Sequence, residues 1–362
     1  MSNRGPALRV NASAQNGEDR ENGDMRILVL GGTAWLGRTV VEAALASGHQ
    51  VTCIVRGRQV PHGARLVNAD RDQNDALTRA LWSVHDDAGR WDAVVDVATE
   101  PGHVRRAVRD LEPHAARYVF ISSCNVYASL AATGIDEDEP RHTPLSADEM
   151  ASPEEYGPAK TAGEDAVRAA FGPDRSVIIR PGLIGGPGDP TGRTAYWPLR
   201  FRRPSNPQGR VLVPSAPTQD TAVIDVRDLA AWVIQLIERA RGGVFNAAGE
   251  TVPFARYIET ARRVTRHDGP LVRARPEWLA AHGVTQWMGS RSLPLWIDQP
   301  DVAGLGSLSN ARALAAGLKL RPIDDTLTDT LDWATAHHVD TVIGSGLTDD
   351  EEHALLEAHN EP

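Results

Sequence analysis

From Arg26 onward, short runs of Val, Ile and Leu alternate with stretches whose apolar residues recur every three or four positions. Ile27-Leu28-Val29-Leu30, Val51 to Val55, Arg65-Leu66-Val67, Ala93-Val94-Val95-Asp96, Tyr118-Val119-Phe120-Ile121 and Val177-Ile178-Ile179 have the near-continuous hydrophobicity of strands buried on both faces. Helical periodicity follows the first strand through about Ser47 and returns at Asp75 to Leu81, Val104 to Leu111 and Tyr156 to Phe171. Farther on, Asp225 to Arg239, Phe254 to Val264 and Asp324 to His337 read as helices, and Gly243 to Asn246 as a short strand. Strands alternating with helices at this spacing predict an α/β fold, a doubly wound parallel sheet covered on both sides.

The pattern also sets boundaries. Residues 1–24 are rich in Asn, Gly, Arg and acids and read as a disordered tail, neither a signal peptide nor a core strand. Residues 25–181 form the sheet-building domain. Within 182–340, the stretches 182–217 and 247–308 read as a smaller C-terminal substrate-binding lobe, irregular at 182–217, dense in Pro, Gly and Arg, and at 270–300, rich in Trp and Pro, while 218–246 completes the sheet. Residues 341–362 read as a peripheral helix capped by Thr348. No apolar run is long enough to span a bilayer.

Composition narrows the partners. The chain of 362 residues is 41% hydrophobic and 24% charged, with a formal net charge of -10. An acidic balance disfavours nucleic acid and anionic membrane, both polyanions, and points to a small-molecule substrate. Cys53 and Cys124, both on predicted strands or strand ends, suit reduced thiols in a cytoplasm better than a disulfide framework.

Gly31-Gly32-Thr33-Ala34-Trp35-Leu36-Gly37 directly follows the first strand and opens a helix, where a dinucleotide pyrophosphate rests on helix N-terminal amides. This order of strand, glycines and helix makes the fold Rossmann-type. Ala34 stands where a middle glycine is usual. The second strand ends Ile54-Val55-Arg56-Gly57-Arg58, with no carboxylate for the adenosine ribose hydroxyls. Two guanidiniums there suit a 2′-phosphate and favour NADP(H), with NAD(H) the alternative; solvated loop charges would also explain them. Asp70 is a candidate adenine contact or a helix cap.

Tyr156 and Lys160 lie four residues apart on one helix face. A nearby ammonium favours the phenolate and would lower the Tyr156 pKa, allowing it to exchange a proton with substrate. Such a pair alone is common on helix surfaces. Its weight comes from the glycine loop and from Ser122-Ser123-Cys124-Asn125-Val126-Tyr127, which ends a strand at the carboxyl edge of the sheet.

These motifs, with Arg180-Pro181-Gly182-Leu183-Ile184-Gly185-Gly186-Pro187, Ile224-Asp225-Val226-Arg227-Asp228-Leu229-Ala230 and Ser309-Asn310, resemble the extended short-chain dehydrogenases/reductases of the NAD-dependent epimerase/dehydratase family. The resemblance runs from Met25 to about Trp333. It implies Ser123 as the catalytic hydroxyl, Tyr156 as general acid/base and Lys160 as its partner and a ribose ligand. It also implies Pro181, Leu183 and Ile184 near the nicotinamide, Ala98 and Thr99 near its ribose, and a homodimer through the helices at Val104 to Leu111 and Tyr156 to Phe171.

Two departures bear on the reaction. Cys124-Asn125 follows Ser123 where sugar-nucleotide dehydratases resemble one another in an Asp-Glu pair. Thr221-Ala222-Val223 stands where nucleotide-sugar epimerases usually carry an Arg for the diphosphate. Both favour net redox of a carbonyl/alcohol pair. A cofactor-retaining epimerase and a noncatalytic dinucleotide-sensing or nucleic-acid-binding relative are the alternatives.

The remaining candidates are weaker. Cys124 invites a nucleophile reading, but a small residue at a strand end more often packs. None of the 12 histidines has metal-ligand spacing, so no metal is expected. Cys124, Asn125, Tyr196, Trp197 and Trp287 are candidate substrate contacts, although Trp197, Trp287 and Trp296 could equally be the core of the small lobe. Arg200, Arg202 and Arg203 form a basic cluster for an anionic substrate or a solvated face.

Overall fold

A strand whose consecutive residues are apolar must be covered on both faces, and the chain meets that demand with two helical layers. The computed structural model describes residues 24–57, 59–82, 90–216, 218–339 and 344–359. The predicted tail at 1–23 and Arg58 lie outside the described residues.

In chain order the elements are β1 (Arg26–Leu30), α1 (Trp35–Ala46), β2 (Gln50–Val55), β3 (Arg65–Asn68), α2 (Ala76–Trp82), β4 (Ala93–Asp96), α3 (Pro101–Leu111), β5 (Tyr118–Ile121), α4 (Tyr156–Arg175) and β6 (Ser176–Pro181). There follow β7 (Leu183–Gly185), α5 (Arg193–Arg202), β8 (Val211–Pro214), β9 (Asp220–Thr221), β10 (Val223–Asp225), α6 (Val226–Glu238) and β11 (Gly243–Ala247). The chain ends with β12 (Val252–Pro253), α7 (Phe254–Val264), β13 (Leu271–Ala274), α8 (Pro276–Ala281), β14 (Thr285–Trp287), β15 (Ser292–Pro294), α9 (Ala311–Ala315), α10 (Ile323–Ala336) and α11 (Asp349–Ala358).

Seven strands form one sheet in the order β11-β6-β5-β4-β1-β2-β3, and every pairing in it is parallel. Ile27 and Val29 of β1 pack with Val40 and Val41 of α1 and the apolar face of α6. Leu28 and Leu30 face the other way, onto α2, α3 and α4 through Leu77, Val104 and Val167. The Rossmann-type sheet of the sequence reading is therefore present. Strand order reverses between β1 and β4, which opens a crevice at their carboxyl ends.

The lobe differs from its reading as irregular. Both of its stretches carry regular structure, and β8 pairs β13 in parallel from Val211↔Leu271 to Ala274↔Pro214. Its core includes Trp197, Phe201, Val211, Phe254, Leu293 and Trp296. The elements escaped the sequence pattern because the strands are short and their partners lie far away along the chain.

The C-terminal helix is likewise not peripheral. Thr348 caps α11 in a reciprocal capping box with Glu351, as its sequence position implied. Leu355 and Leu356, however, are buried in the lobe core. Glu352 is fully buried and pairs with the equally buried Arg200 at 3.2 Å. Arg200 also donates to Leu347 O and Asp349, so it is an internal tie rather than part of a substrate-facing cluster.

One buried ion pair joins the catalytic-side elements. Glu164 of α4 accepts Arg180 Nε at 2.9 Å and Nη2 at 2.7 Å, and it accepts Ser122 Oγ at 2.6 Å. Removing one member of such a pair strands the other charge, whereas replacing both with apolar groups is far milder. Glu164→Gln is therefore expected to cost about 3–5 kcal/mol in chemical denaturation. The double variant Glu164→Leu/Arg180→Met should recover most of that loss; equal destabilisation of both would contradict the pairing.

Candidate active site

Two cavities meet across the β1/β4 crevice. The larger, about 1000 Å³, is lined by Ala34, Trp35, Leu36 and Gly37 on one side, Thr99, Ser123, Cys124, Asn125, Tyr156 and Lys160 at its floor, and Pro181, Leu183 and Ile184 opposite. The smaller, about 260 Å³, is lined by Gly31, Thr33, Ala34, Arg56, Arg71, Ala98 and His103. Residues scattered from 31 to 184 thus come together around two neighbouring cavities that share Ala34 and Val97 in their walls.

The glycine loop fits a pyrophosphate. Gly31 has φ +97°, which few side-chain-bearing residues adopt, and a Cβ at Gly37 would sit 2.2 Å from the Gly31 carbonyl oxygen. Helix α1 starts at Ala34 without a side-chain cap and with no acid in its first turn, so its positive end is available to an anion.

The adenosine side is shaped by residues that sequence reasoning missed. Arg71 donates to both carboxylate oxygens of the buried Asp96, at 2.9 and 2.8 Å. Asp96 also accepts Tyr118 Oη at 2.6 Å and the Ala98 amide at 3.0 Å. These partners hold the Asp96 carboxyl below its ordinary range against the opposing effect of burial. An Asp ending a strand was visible, but its partner lies across the sheet. Asn68 Nδ2 donates to the carbonyls of Arg56 and Gly57, fixing the turn after β2. Arg56 is exposed and meets Asp72 at 3.3 Å. Asp70 accepts the Asp72 amide at 3.2 Å, a local turn contact six residues ahead of α2, and lines neither cavity.

At the other end, Lys160 is buried and donates from Nζ to Ala98 O at 2.7 Å and Ile121 O at 2.8 Å. An ammonium has three hydrogens, so one remains for a ribose hydroxyl. Burial depresses the Lys160 pKa to about 8. Burial pushes the Tyr156 phenol above its ordinary value, and the neighbouring Ser123 only partly offsets it. The expectation that Lys160 lowers the Tyr156 pKa is therefore not met. Its Nζ is 5.9 Å from the Tyr156 ring centre and its charge is directed at backbone carbonyls. Ser123 is positioned by accepting the Asn125 amide at 3.2 Å.

The substrate candidates divide. Asn125 and Trp287 line the large cavity. Tyr196 and Trp197 line neither cavity and are completely buried in the lobe core, where Trp197 Nε1 donates to Pro294 O at 2.8 Å. Trp296 is also core. Cys124 touches the cavity, but burial raises its thiol to about 12, the opposite of nucleophile activation. Gln286, Gln299 and Arg193 also line the cavity and carried no recognisable motif. Among the described residues no cluster of three or more metal-ligating side chains occurs, and no helix is long and apolar enough to cross a membrane.

A parallel Rossmann sheet with a hydroxyl, a phenol and an ammonium gathered at the nicotinamide end of its crevice defines the extended short-chain dehydrogenase/reductase class. The family model "NAD dependent epimerase/dehydratase family" matches residues 27–115 and 106–248, and the chain belongs to that family. It is similar to 2′-dehydrokanamycin reductase of Streptomyces kanamyceticus, with 32% identity over 190 residues, 50% of this chain and 47% of that protein. The match thus spans less than half the length of that relative. In fold it is similar to the Bordetella bronchiseptica enzyme WbmG in complex with NAD and UDP, with TM-score 0.64 and 19% identity over 90% of this chain and 99% of that one. It is also similar to UDP-N-acetylglucosamine 4-epimerase from Bacillus cereus, with TM-score 0.62 and 16% identity over 88% and 99%.

With the Lys160 pKa depressed to about 8, dinucleotide binding is expected to depend on pH. The Lys160 charge is present below about 8 and is lost as pH rises through that value. Titration of the dinucleotide between pH 7 and 9 should show affinity falling with an inflection near the Lys160 pKa. Lys160→Met should bind more weakly at pH 7 and show no inflection there; a persisting inflection would assign it to another group.

Proposed function

We propose that the protein is an NADP(H)-dependent oxidoreductase that interconverts a carbonyl and an alcohol on a small metabolite. The observation that carries this reading is the convergence of Ser123, Tyr156 and Lys160 on one cavity wall, beside a glycine loop open to a pyrophosphate. The bound dinucleotide would supply or accept the hydride.

Each residue then has a defined task. Lys160 grips the nicotinamide ribose and holds the helix to the strands through Ala98 and Ile121. Tyr156 keeps its proton at neutral pH, because burial raises the phenol, and delivers it to the carbonyl oxygen as that oxygen gains charge. Ser123, held by Asn125, offers a second hydrogen bond to the same oxygen. A protonated phenol favours the reducing direction. The relative named as a reductase supports redox over epimerisation, and Cys124-Asn125 in place of an acid pair argues against dehydration.

The NADP(H) preference rests on Arg56 at the adenosine cavity and on the absence of a carboxylate at the end of β2. A 2′-phosphate competes with Asp72 for Arg56, and phosphate is the stronger, bidentate partner.

Two experiments decide these points. With a panel of carbonyl substrates followed by cofactor absorbance, Tyr156→Phe should lower turnover by about 10²–10⁴-fold; unchanged turnover would remove Tyr156 from the chemistry. Arg56→Ala should weaken NADPH about 10-fold or more, the scale of one charged hydrogen bond, and leave NADH alone. Dinucleotide that co-purifies stoichiometrically and does not exchange during turnover would mark a cofactor-retaining epimerase instead.

A further inference from the structure

Arg193, half-buried at the wall of the large cavity, differs from the buried arginines. Arg71, Arg180 and Arg200 each meet carboxylates. Arg193 lines the large cavity, yet among the described residues it makes no ion pair; its Nε donates to Thr191 Oγ1 at 3.0 Å. Its Nη donors have no protein hydrogen-bond partner among the described residues. Burial disfavours its charge, with partial compensation from Asp189.

Asp189 does not answer that charge with a direct bond. Its Oδ1 accepts the Thr191 amide at 2.9 Å and Thr191 Oγ1 at 2.7 Å, and its Oδ2 accepts Thr194 Oγ1 at 3.0 Å. The carboxylate therefore ties the turn that launches α5, and Arg193 is the first residue of that helix. The same Oδ2 accepts the Thr194 amide at 3.4 Å, so the positive end of α5 is already met by Asp189 while the guanidinium itself is not.

The guanidinium is also held from above. It lies 4.8 Å from the ring centre of Trp287, a cation–π distance. Trp287 has φ +68°, a strained conformation for a non-glycine residue, and its amide donates to Trp296 O at 2.9 Å. Backbone strain maintained at a cavity wall points to a function for the side chain it positions. The platform belongs to β14 of the small lobe, across the cavity from the glycine loop.

Among the described residues Asp189 is the only carboxylate lining this cavity, against the cations Lys160 and Arg193. We propose that Arg193, fixed between Thr191 and Trp287, selects substrates that carry a carboxylate or phosphate group over neutral and cationic ones. The proposal rests on the oxidoreductase reading only in taking this cavity as the substrate site. The same chemistry could come from the cofactor pyrophosphate, so cofactor and substrate must be read separately.

The test is calorimetric binding to the NADP⁺-loaded protein, which needs no turnover and stays interpretable if the redox reading fails. The probes are glucuronate, glucose 6-phosphate, methyl glucoside and glucosamine. The anionic probes should bind about 10- to 100-fold more tightly than the neutral and cationic ones, the scale of a charged hydrogen-bonded contact. Arg193→Gln should erase that preference with an unchanged melting temperature and unchanged NADP⁺ affinity, and Arg193→Lys should keep part of it. The proposal is overturned by equal binding of all four probes, by no binding of any, or by a preference that survives in Arg193→Gln. Loss of NADP⁺ affinity in Arg193→Gln would assign the guanidinium to the pyrophosphate and overturn it equally.

Discussion

The buried carboxylate of Glu164 is the point on which the reaction centre depends. It lies one turn beyond Lys160 on α4 and receives Ser122 from the end of β5 and Arg180 from β6. Arg180 continues to Tyr127 Oη at 3.1 Å, and Tyr127 donates to Asn246 of β11 at 2.6 Å. Helix and strands are thereby locked in register by directional bonds rather than by apolar contact, which constrains position only loosely. The proposed roles of the Tyr156 phenol and the Ser123 hydroxyl, carried on different elements, require such a lock, because small displacements cost large factors in rate.

A second buried carboxylate, Asp96, plays the matching role at the other end of the crevice. Its bonds to Arg71, Tyr118 and the Ala98 amide shape the turn after β4. Ala98 O in turn accepts Lys160. The adenosine side and the catalytic side are thus joined through one backbone carbonyl. Among the described residues the Arg71 and Lys160 charges are paired or directed at carbonyls, whereas the Arg193 Nη groups have no protein hydrogen-bond partner.

The small lobe shows how differently the two halves of the chain are built. The sheet domain repeats one pattern, strand then helix, and its core divides cleanly between two faces. The lobe gathers short strands and helices drawn from residues 183 to 356 around a cluster of aromatic side chains. Arg200 and Glu352 bring the last helix into that cluster, so the C-terminus helps to hold the wall on which Trp287 and Arg193 stand.

The parallel sheet, the glycine loop and the Ser123, Tyr156 and Lys160 set were legible in the sequence by itself. Strands buried on both faces, tight turns and i, i+4 pairs are local patterns that the chain displays directly. Only the tertiary structure moved Tyr196 and Trp197 into the core and left Trp287 on the cavity wall. It also raised the Tyr156 phenol, where the spacing of Tyr156 and Lys160 implied the opposite. A pKa depends on burial and on where each hydrogen bond is directed, and both are set by residues far away along the chain. The role of Arg193 is the sharpest case. Its chemistry is plain from its identity, but that its charge is unpaired and directed into a cavity is a property of packing alone.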